Sequence, residues 1–207
     1  MDPEELQHLM IDLPVNPEKK RLAIFDMDET LMHCVDDFQT QDHDVVLEID
    51  FPDEETVYAG INIRPYIMEC LEEAKKFFQV IVFTASHQVY ADAILDYLDP
   101  NHEHIEHRLY RQHCFQTEEG YYVKDLRIFE GRDLKDIVIV DNSVYSFAFQ
   151  IDNGIPIIPF YHDKSDEEML HLVYYFNCLA GVEDVREQNR QAFELYRLTN
   201  VDDSELS

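Results

Sequence analysis

The sequence is short of positive charge. Its 207 residues carry 16 Lys and Arg against 44 Asp and Glu, a formal net charge of -28, with a pI near 4.4. A nucleic-acid binder needs basic surface to displace counterions from phosphates, so direct nucleic-acid contact is not expected. Anionic membranes are disfavoured for the same reason. Cysteine is sparse as well: Cys34, Cys70, Cys114 and Cys178 are scattered, with no Cys-x-x-Cys pair. That pattern reads as reduced thiols in a nuclear or cytoplasmic protein, not as a disulfide framework. No apolar run approaches the ~20 residues needed to cross a bilayer. The start, Met1-Asp2-Pro3-Glu4-Glu5, lacks the basic and apolar regions of a signal peptide. A soluble intracellular protein with no membrane partner is the expectation, and a monomer is expected.

One local absence is larger. Between Arg21 and Arg64 there is no Lys or Arg at all. From Asp36 to Glu55 that gap carries nine acids: Asp36, Asp37, Asp42, Asp44, Glu48, Asp50, Asp53, Glu54 and Glu55. Such a run is usually a solvated face. The stretch Arg108 to Lys135 goes the other way, with six bases against five acids.

What is present suits a packed domain. Hydrophobic content of 45% with 12% aromatic excludes a mainly disordered chain, and the length fits one domain with a real core. Residues 1–20 read as an N-terminal lead-in, 21–185 as the main domain, and 186–207 as a C-terminal helix and acidic tail packed on or next to it. Short apolar runs at Leu22 to Phe25, Val80 to Phe83 and Asp136 to Val140 read as buried strands, with Ile155 to Phe160 a last short one. Residues 45–51 and 56–63 alternate about a turn at Pro52-Asp53-Glu54-Glu55, which predicts an antiparallel hairpin over 44–63. Helical spacing runs through Tyr66 to Phe77/Phe78, Tyr90 to Leu98, Met169 to Leu179 and Val185 to Leu198. Strand alternating with helix marks a parallel α/β sheet.

The chemistry sits where strands end. Leu22 to Phe25 stops on Asp26-Met27-Asp28-Glu29-Thr30, and alternate residues there can both aim into one site. In open α/β sheets the crevice beyond the carboxyl ends of the strands is where ligands bind. Two close carboxylates repel unless a cation or a shared proton relieves them. That arrangement suits a magnesium ion with one nucleophile and one acid/base. An Asp-x-Asp pair also arises by chance in so acidic a chain, so the other strand ends matter: Thr84-Ala85-Ser86, Asp141-Asn142-Ser143 and, between them, Lys124. Phosphoryl transfer requires neutralised phosphate oxygens and aligned attacking and leaving groups, and a hydroxyl, a lysine and a metal would supply them. His102, His104, His107, His113 and Cys114 cluster, yet their spacing matches no standard zinc finger.

Four stretches in order, Ile24-Phe25-Asp26-Met27-Asp28-Glu29-Thr30-Leu31, Val82-Phe83-Thr84-Ala85-Ser86, Tyr122-Val123-Lys124-Asp125-Leu126 and Val140-Asp141-Asn142-Ser143, make the chain resemble the small phosphatases that act on the C-terminal domain of RNA polymerase II. These are a branch of the haloacid dehalogenase superfamily, and the resemblance covers roughly residues 20 to 185. Met27 stands where Leu is commoner, a volume-conserving swap. The resemblance implies a Rossmann-like, mostly parallel sheet flanked by helices, with the hairpin inserted after the first motif and no large cap domain. It implies a magnesium-dependent protein-serine/threonine phosphatase that works through an aspartyl-phosphate. Asp26 would be nucleophile and metal ligand. Asp28 would be general acid then base, with its carbonyl on the metal. Thr84 and Lys124 would bind phosphate, Asn142 would complete the metal's protein ligands, and Asp141 would orient Lys124 or a metal-bound water. Arg108 would face the substrate. The implied partner is a phosphoprotein, with the RNA polymerase II C-terminal domain a candidate. A small-molecule phosphatase of the same superfamily and an inactive scaffold relative stay open, and an uncapped site favours phosphoproteins.

Overall fold

The structure is a computed structural model in which residues 3–52 and 56–200 are described. Helix α1 (Pro3–Leu9) leads to strand β1 (Arg21–Phe25). Three short strands follow, β2 (Met32–Cys34), β3 (Val45–Ile49) and β4 (Val57–Ile63), then helix α2 (Ile67–Lys75) and strand β5 (Phe78–Phe83). Helix α3 (Gln88–Leu98) precedes β6 (His107–Leu109), the small hairpin β7 (Phe115–Gln116) and β8 (Tyr122–Val123), and then β9 (Ile137–Asp141). Strand β10 (Gly154–Pro156), helices α4 (Glu168–Ala180) and α5 (Val185–Phe193) and the 3-10 segment Leu195–Asn200 follow.

The main sheet has five strands in the order β10-β9-β1-β5-β6, all parallel. β1 lies between β5 and β9, so the chain winds one way from β1 to β5 and β6 and the other way to β9 and β10. Such a reversal opens a crevice at the carboxyl end of the central strand, where ligands bind in open parallel sheets. The sheet is buried on both faces because successive strand residues point to opposite sides. Ala23, Phe25, Val80, Val82, Val138 and Val140 face α2, α3 and α4. Leu22, Ile24, Ile81, Phe83, Ile137 and Ile139 face the other layer.

That second layer holds the main departures from the sequence reading. It is built from the 3-10 turns Leu126–Ile128 and Val144–Asn153 together with the N-terminal stretch, not from long helices. Leu13 is buried there, with Leu6, Leu9 and Ile11 packed against it. Ile11 exchanges backbone hydrogen bonds with Ile128 and Glu130. Residues 6–13 therefore pack on one face of the sheet, although the prolines of this stretch hide any helical or strand period.

The insertion is a three-stranded antiparallel sheet in the order β2-β4-β3. The expected pairing of β3 with β4 is present, Val45 to Ile49 against Ile61 to Val57. β2 adds a third strand, too short to show an alternation of its own. The turn at Asp53 to Glu55 lies outside the described residues, as does the acidic tail from Asp202 to Ser207. Three boundaries also move. Phe78 opens β5 instead of closing a helix, and β10 stops at Pro156. The last helix breaks at Glu194, whose left-handed φ of 50° admits no further α-turn. No helix among the described residues is long and apolar enough to cross a membrane.

Candidate active site

The site assembles at the ends of β1, β5 and β9. Asp26 follows β1 directly, and its N–H still donates to Val140 O at 2.9 Å, so the parallel ladder fixes its Cα. The chain then turns sharply. Leu31 N–H reaches back to Met27 O at 2.8 Å, and Glu29 adopts φ 55°, an uncommon conformation for a residue with a Cβ. Met27, fully buried, anchors this loop. The turn leaves Asp26, Asp28 and Thr30 facing one crevice.

Lys124 is the hub. Its ammonium group is buried and donates to Asp26 Oδ1 at 2.5 Å and to Asp141 Oδ2 at 2.6 Å. Asp141 also accepts the Ser143 N–H at 2.8 Å, which locks the end of β9. Thr30 Oγ1 sits 3.0 Å from Asp26 Oδ2 and 3.3 Å from Asn142 Oδ1, so one hydroxyl joins the two strand ends. Asp28 stands apart from the lysine. It accepts from Ser86 Oγ at 2.7 Å, Tyr90 OH at 3.2 Å and Thr84 Oγ1 at 3.3 Å.

The electrostatics separate the carboxylates. Burial, and then the negative charge of Asp26, pushes Asp28 above the usual carboxylate range, partly offset by its three hydroxyl donors. Burial and Asp26 push Asp141 up to about 6, against the pull of Lys124. Burial alone would lower Lys124, but Asp141 and Asp26 more than reverse that and raise it, so the lysine stays charged. A carboxylate above its normal range beside one neutralised by a lysine is the division of labour an acid/base and a nucleophile need.

Among the described residues no three His, Cys, Asp or Glu side chains form a metal cage. The oxygen donors here are of mixed kind: the Asp26 carboxylate, the Asn142 amide oxygen and the backbone carbonyl of Asp28. Magnesium is commonly held by one or two carboxylates and completed by water and phosphate oxygens. This hard-oxygen set fits it and offers no sulfur or imidazole to a softer metal.

Asp26, Asp28, Thr84, Lys124, Asp141 and Asn142 thus meet in one crevice, as their order along the sequence suggested. Arg108 does not join them. On β6 it projects towards α3, where Asp92 and Asp96, one helical turn apart, take its Nη1 at 3.0 and 2.8 Å. The arginine at the rim is Arg111, beyond the end of β6. Its N–H donates to Ser86 O at 3.1 Å, its Nε donates to Ala85 O at 2.6 Å, and its guanidinium lies 5.2 Å above the Tyr122 ring.

Ser86, from the Thr84-Ala85-Ser86 strand end, and Tyr90 join the site as donors to Asp28. Ser86 sits two residues after Thr84, the same alternate spacing that singled out Asp26 and Asp28. Tyr90 follows one turn later on α3. Behind the crevice, buried Arg64 donates to Thr30 O at 3.1 Å, to Ile158 O at 2.8 Å, and through Nε and Nη2 to Asp166 at 2.8 Å each. It holds the motif loop from the rear.

Comparison with known proteins gives a consistent answer. Residues 21–186 match the family model described as NLI interacting factor-like phosphatase. "CTD small phosphatase-like protein 2" of Dictyostelium discoideum is 45% identical over 84% of this chain and 30% of that protein. "CTD small phosphatase-like protein 3" of Caenorhabditis elegans is 39% identical over 93% of this chain and 68% of that one. The chain thus spans under a third of the Dictyostelium protein. Among solved structures, Fcp1, an essential RNA polymerase II CTD phosphatase, superposes with a TM-score of 0.58 at 15% identity, covering 97% of this chain and 56% of its own. At that identity the likeness is one of fold.

Proposed function

The chain belongs to the family of NLI interacting factor-like phosphatases, and from that premise we propose that it is a magnesium-dependent protein phosphatase acting on phosphoserine and phosphothreonine. The observation that carries the reading is the bridge of Lys124 between Asp26 and Asp141, with Thr30 joining Asp26 to Asn142. Asp26 attacks phosphorus, and the serine or threonine oxygen leaves, so the phosphoryl group rests on the Asp26 carboxylate. Asp28, held above the normal carboxylate range, gives the leaving oxygen its proton. It then takes one from the water that hydrolyses the aspartyl-phosphate. Lys124 and Thr84 bind the phosphoryl oxygens. Asp141 keeps Lys124 aimed, and Arg111 stands ready at the rim for substrate. Asp26, Asn142 and the Asp28 carbonyl would hold magnesium, which supplies charge neutralisation to the phosphate oxygens.

The uncovered crevice supports a protein substrate over a small molecule: after the first motif the chain adds only three short strands, too little to close over the site. The relatives' names make the RNA polymerase II C-terminal domain a candidate substrate. Four free cysteines fit a nuclear or cytoplasmic setting. The test is turnover of an aryl phosphate and a phosphoserine peptide with magnesium and with EDTA, alongside acid-quench trapping of labelled phosphate on the protein. Magnesium-dependent turnover with label on wild type and none on Asp26→Asn is expected. Full activity in EDTA, or label retained by Asp26→Asn, overturns the reading.

A further inference from the structure

Beyond Asn142 the crevice runs on as a groove of about 610 Å³. Asn142 lies at its inner end. Val144, Tyr145, Ala148 and Ile151 line it, and Leu198 closes the outer side. Among the described residues the lining carries no charged side chain, in a chain of net charge -28. Two of the apolar walls are open to solvent, Tyr145 at 71% and Leu198 at 59% exposure. Tyr145 is held upright by Tyr121, whose ring stacks on it at 5.8 Å and 17°. Large exposed apolar walls next to a reacting centre are informative where a scattered leucine is not.

The groove is fastened to the chemistry. Ser146, on its floor segment, accepts the Lys124 N–H at 2.6 Å. From the same segment Gln150 accepts the Leu126 N–H at 2.9 Å and donates to Asp125 at 3.0 Å. The inner end is Asn142, 3.3 Å from the Thr30 hydroxyl that touches Asp26. Whatever fills the groove is therefore held in register with a phosphoryl group at Asp26.

We propose that this groove is a specificity subsite that takes a large aliphatic or aromatic side chain of the phosphoprotein substrate, within about three residues of the phosphorylated one, a reach of ~10 Å along an extended chain. The assignment rests on the phosphatase reading of the adjoining site and names its substrate class. The opposite wall of the crevice begins at β2 and leads into the acidic insertion. The Tyr145 side offers a flanking residue an uncharged seat, and the volume rewards a large apolar one.

The test is a set of matched phosphoserine peptides in which Leu or Phe replaces Ser at each of the three positions on either side of the phosphoserine. Wild type, Tyr145→Ser and Leu198→Ser are compared on these peptides, with an aryl phosphate as control. One or two positions should raise kcat/KM about tenfold through KM. Both variants should lose that gain, keep aryl phosphate turnover within about twofold, and melt as wild type does. Peptide affinity measured by fluorescence anisotropy on Asp26→Asn reads the groove without turnover. A Leu or Phe preference there, with no aryl phosphate turnover by wild type, supports the groove and sinks the catalytic reading. Turnover with no positional preference, or a preference that survives both variants, overturns the groove. So does a dimer in sedimentation that Tyr145→Ser dissolves, which would assign the groove to a second copy.

Discussion

The carboxylates of the strand ends and those of the insertion are the same chemical group put to opposite uses. Asp26, Asp28 and Asp141 are withdrawn from water and share Lys124 or a set of hydroxyls, and burial raises the proton affinity of Asp28 and Asp141. Asp36, Asp37, Asp42, Asp44, Glu48 and Asp50 are all exposed. Asp37 is held low by Thr40 and the Gln39 N–H; burial would raise Asp44, but Lys164 and the Ile63 N–H together outweigh it and draw it low. Buried, an acid becomes a reagent because its interactions are short and unscreened. Exposed, its direct contacts are weak and it acts mainly through a field that salt weakens within about 10 Å. Position, not acid count, decides which aspartates matter.

The sharpest way to break that contrast is to remove the shared cation. Lys124→Met leaves Asp26 and Asp141 buried together without a counter-charge, which should abolish turnover and cost about 3–5 kcal/mol of stability. In a chain of this size that is a fall of roughly 10 °C in melting temperature. Adding Asp141→Asn to Lys124→Met should return most of the stability and none of the activity. Thermal melts of both proteins in EDTA check this. If the pair melts no higher than the single variant, the two carboxylates do not depend on the lysine as described.

A smaller effect follows from Asp28. Its folded-state pKa is raised, so the stability it contributes is present below the normal carboxylate range and lost as pH rises through the folded value. At pH 7.5 in EDTA, Asp28→Asn should therefore raise the melting temperature by a few °C. The gain should shrink towards pH 4. A gain independent of pH between 4 and 8 would mean that the fit of the amide, not relief of a buried charge, sets the effect.

The smallest effect belongs to the exposed acids. Converting Asp36, Asp37 and Asp42 to Asn should leave the melting temperature within about 1 °C. Their field repels acidic flanks and attracts basic ones, so the conversion should lower the kcat/KM ratio of Lys-flanked to Glu-flanked phosphopeptides by about two- to fivefold at low salt, and by nothing measurable near 0.5 M. A loss that persists in high salt would show a direct contact in place of a field.

Much of this arrangement was legible in the chain. Val80 to Phe83 and Ile137 to Val140 read as strands because both faces of a parallel sheet are dry, which writes continuous apolar runs. Asp26 and Asp28 stood out at the end of such a run, and Thr84 and Asn142 at the ends of two others. What stayed hidden depended on distance or on a boundary. Ser86 repeats the alternate spacing of Asp26 and Asp28, but nothing local marks Tyr90 as a donor to Asp28. β2 is three residues stitched to β4. Arg108 and Arg111 are three residues apart, and choosing between them required the end of β6. A strand ending at Leu109 turns Arg108 under α3 and leaves Arg111 at the rim.

Arg64 carries a consequence for how this fold can diversify. It follows the last strand of the insertion, yet its partners are the first-motif loop and Asp166, 102 residues further on. The insertion is therefore not a cassette that recombination can exchange at its own two ends. A transplanted β2 to β4 segment must arrive with an arginine after it, and the recipient must already hold an acid and a carbonyl in the 158–166 stretch. The arginine and its distant aspartate can only be replaced together.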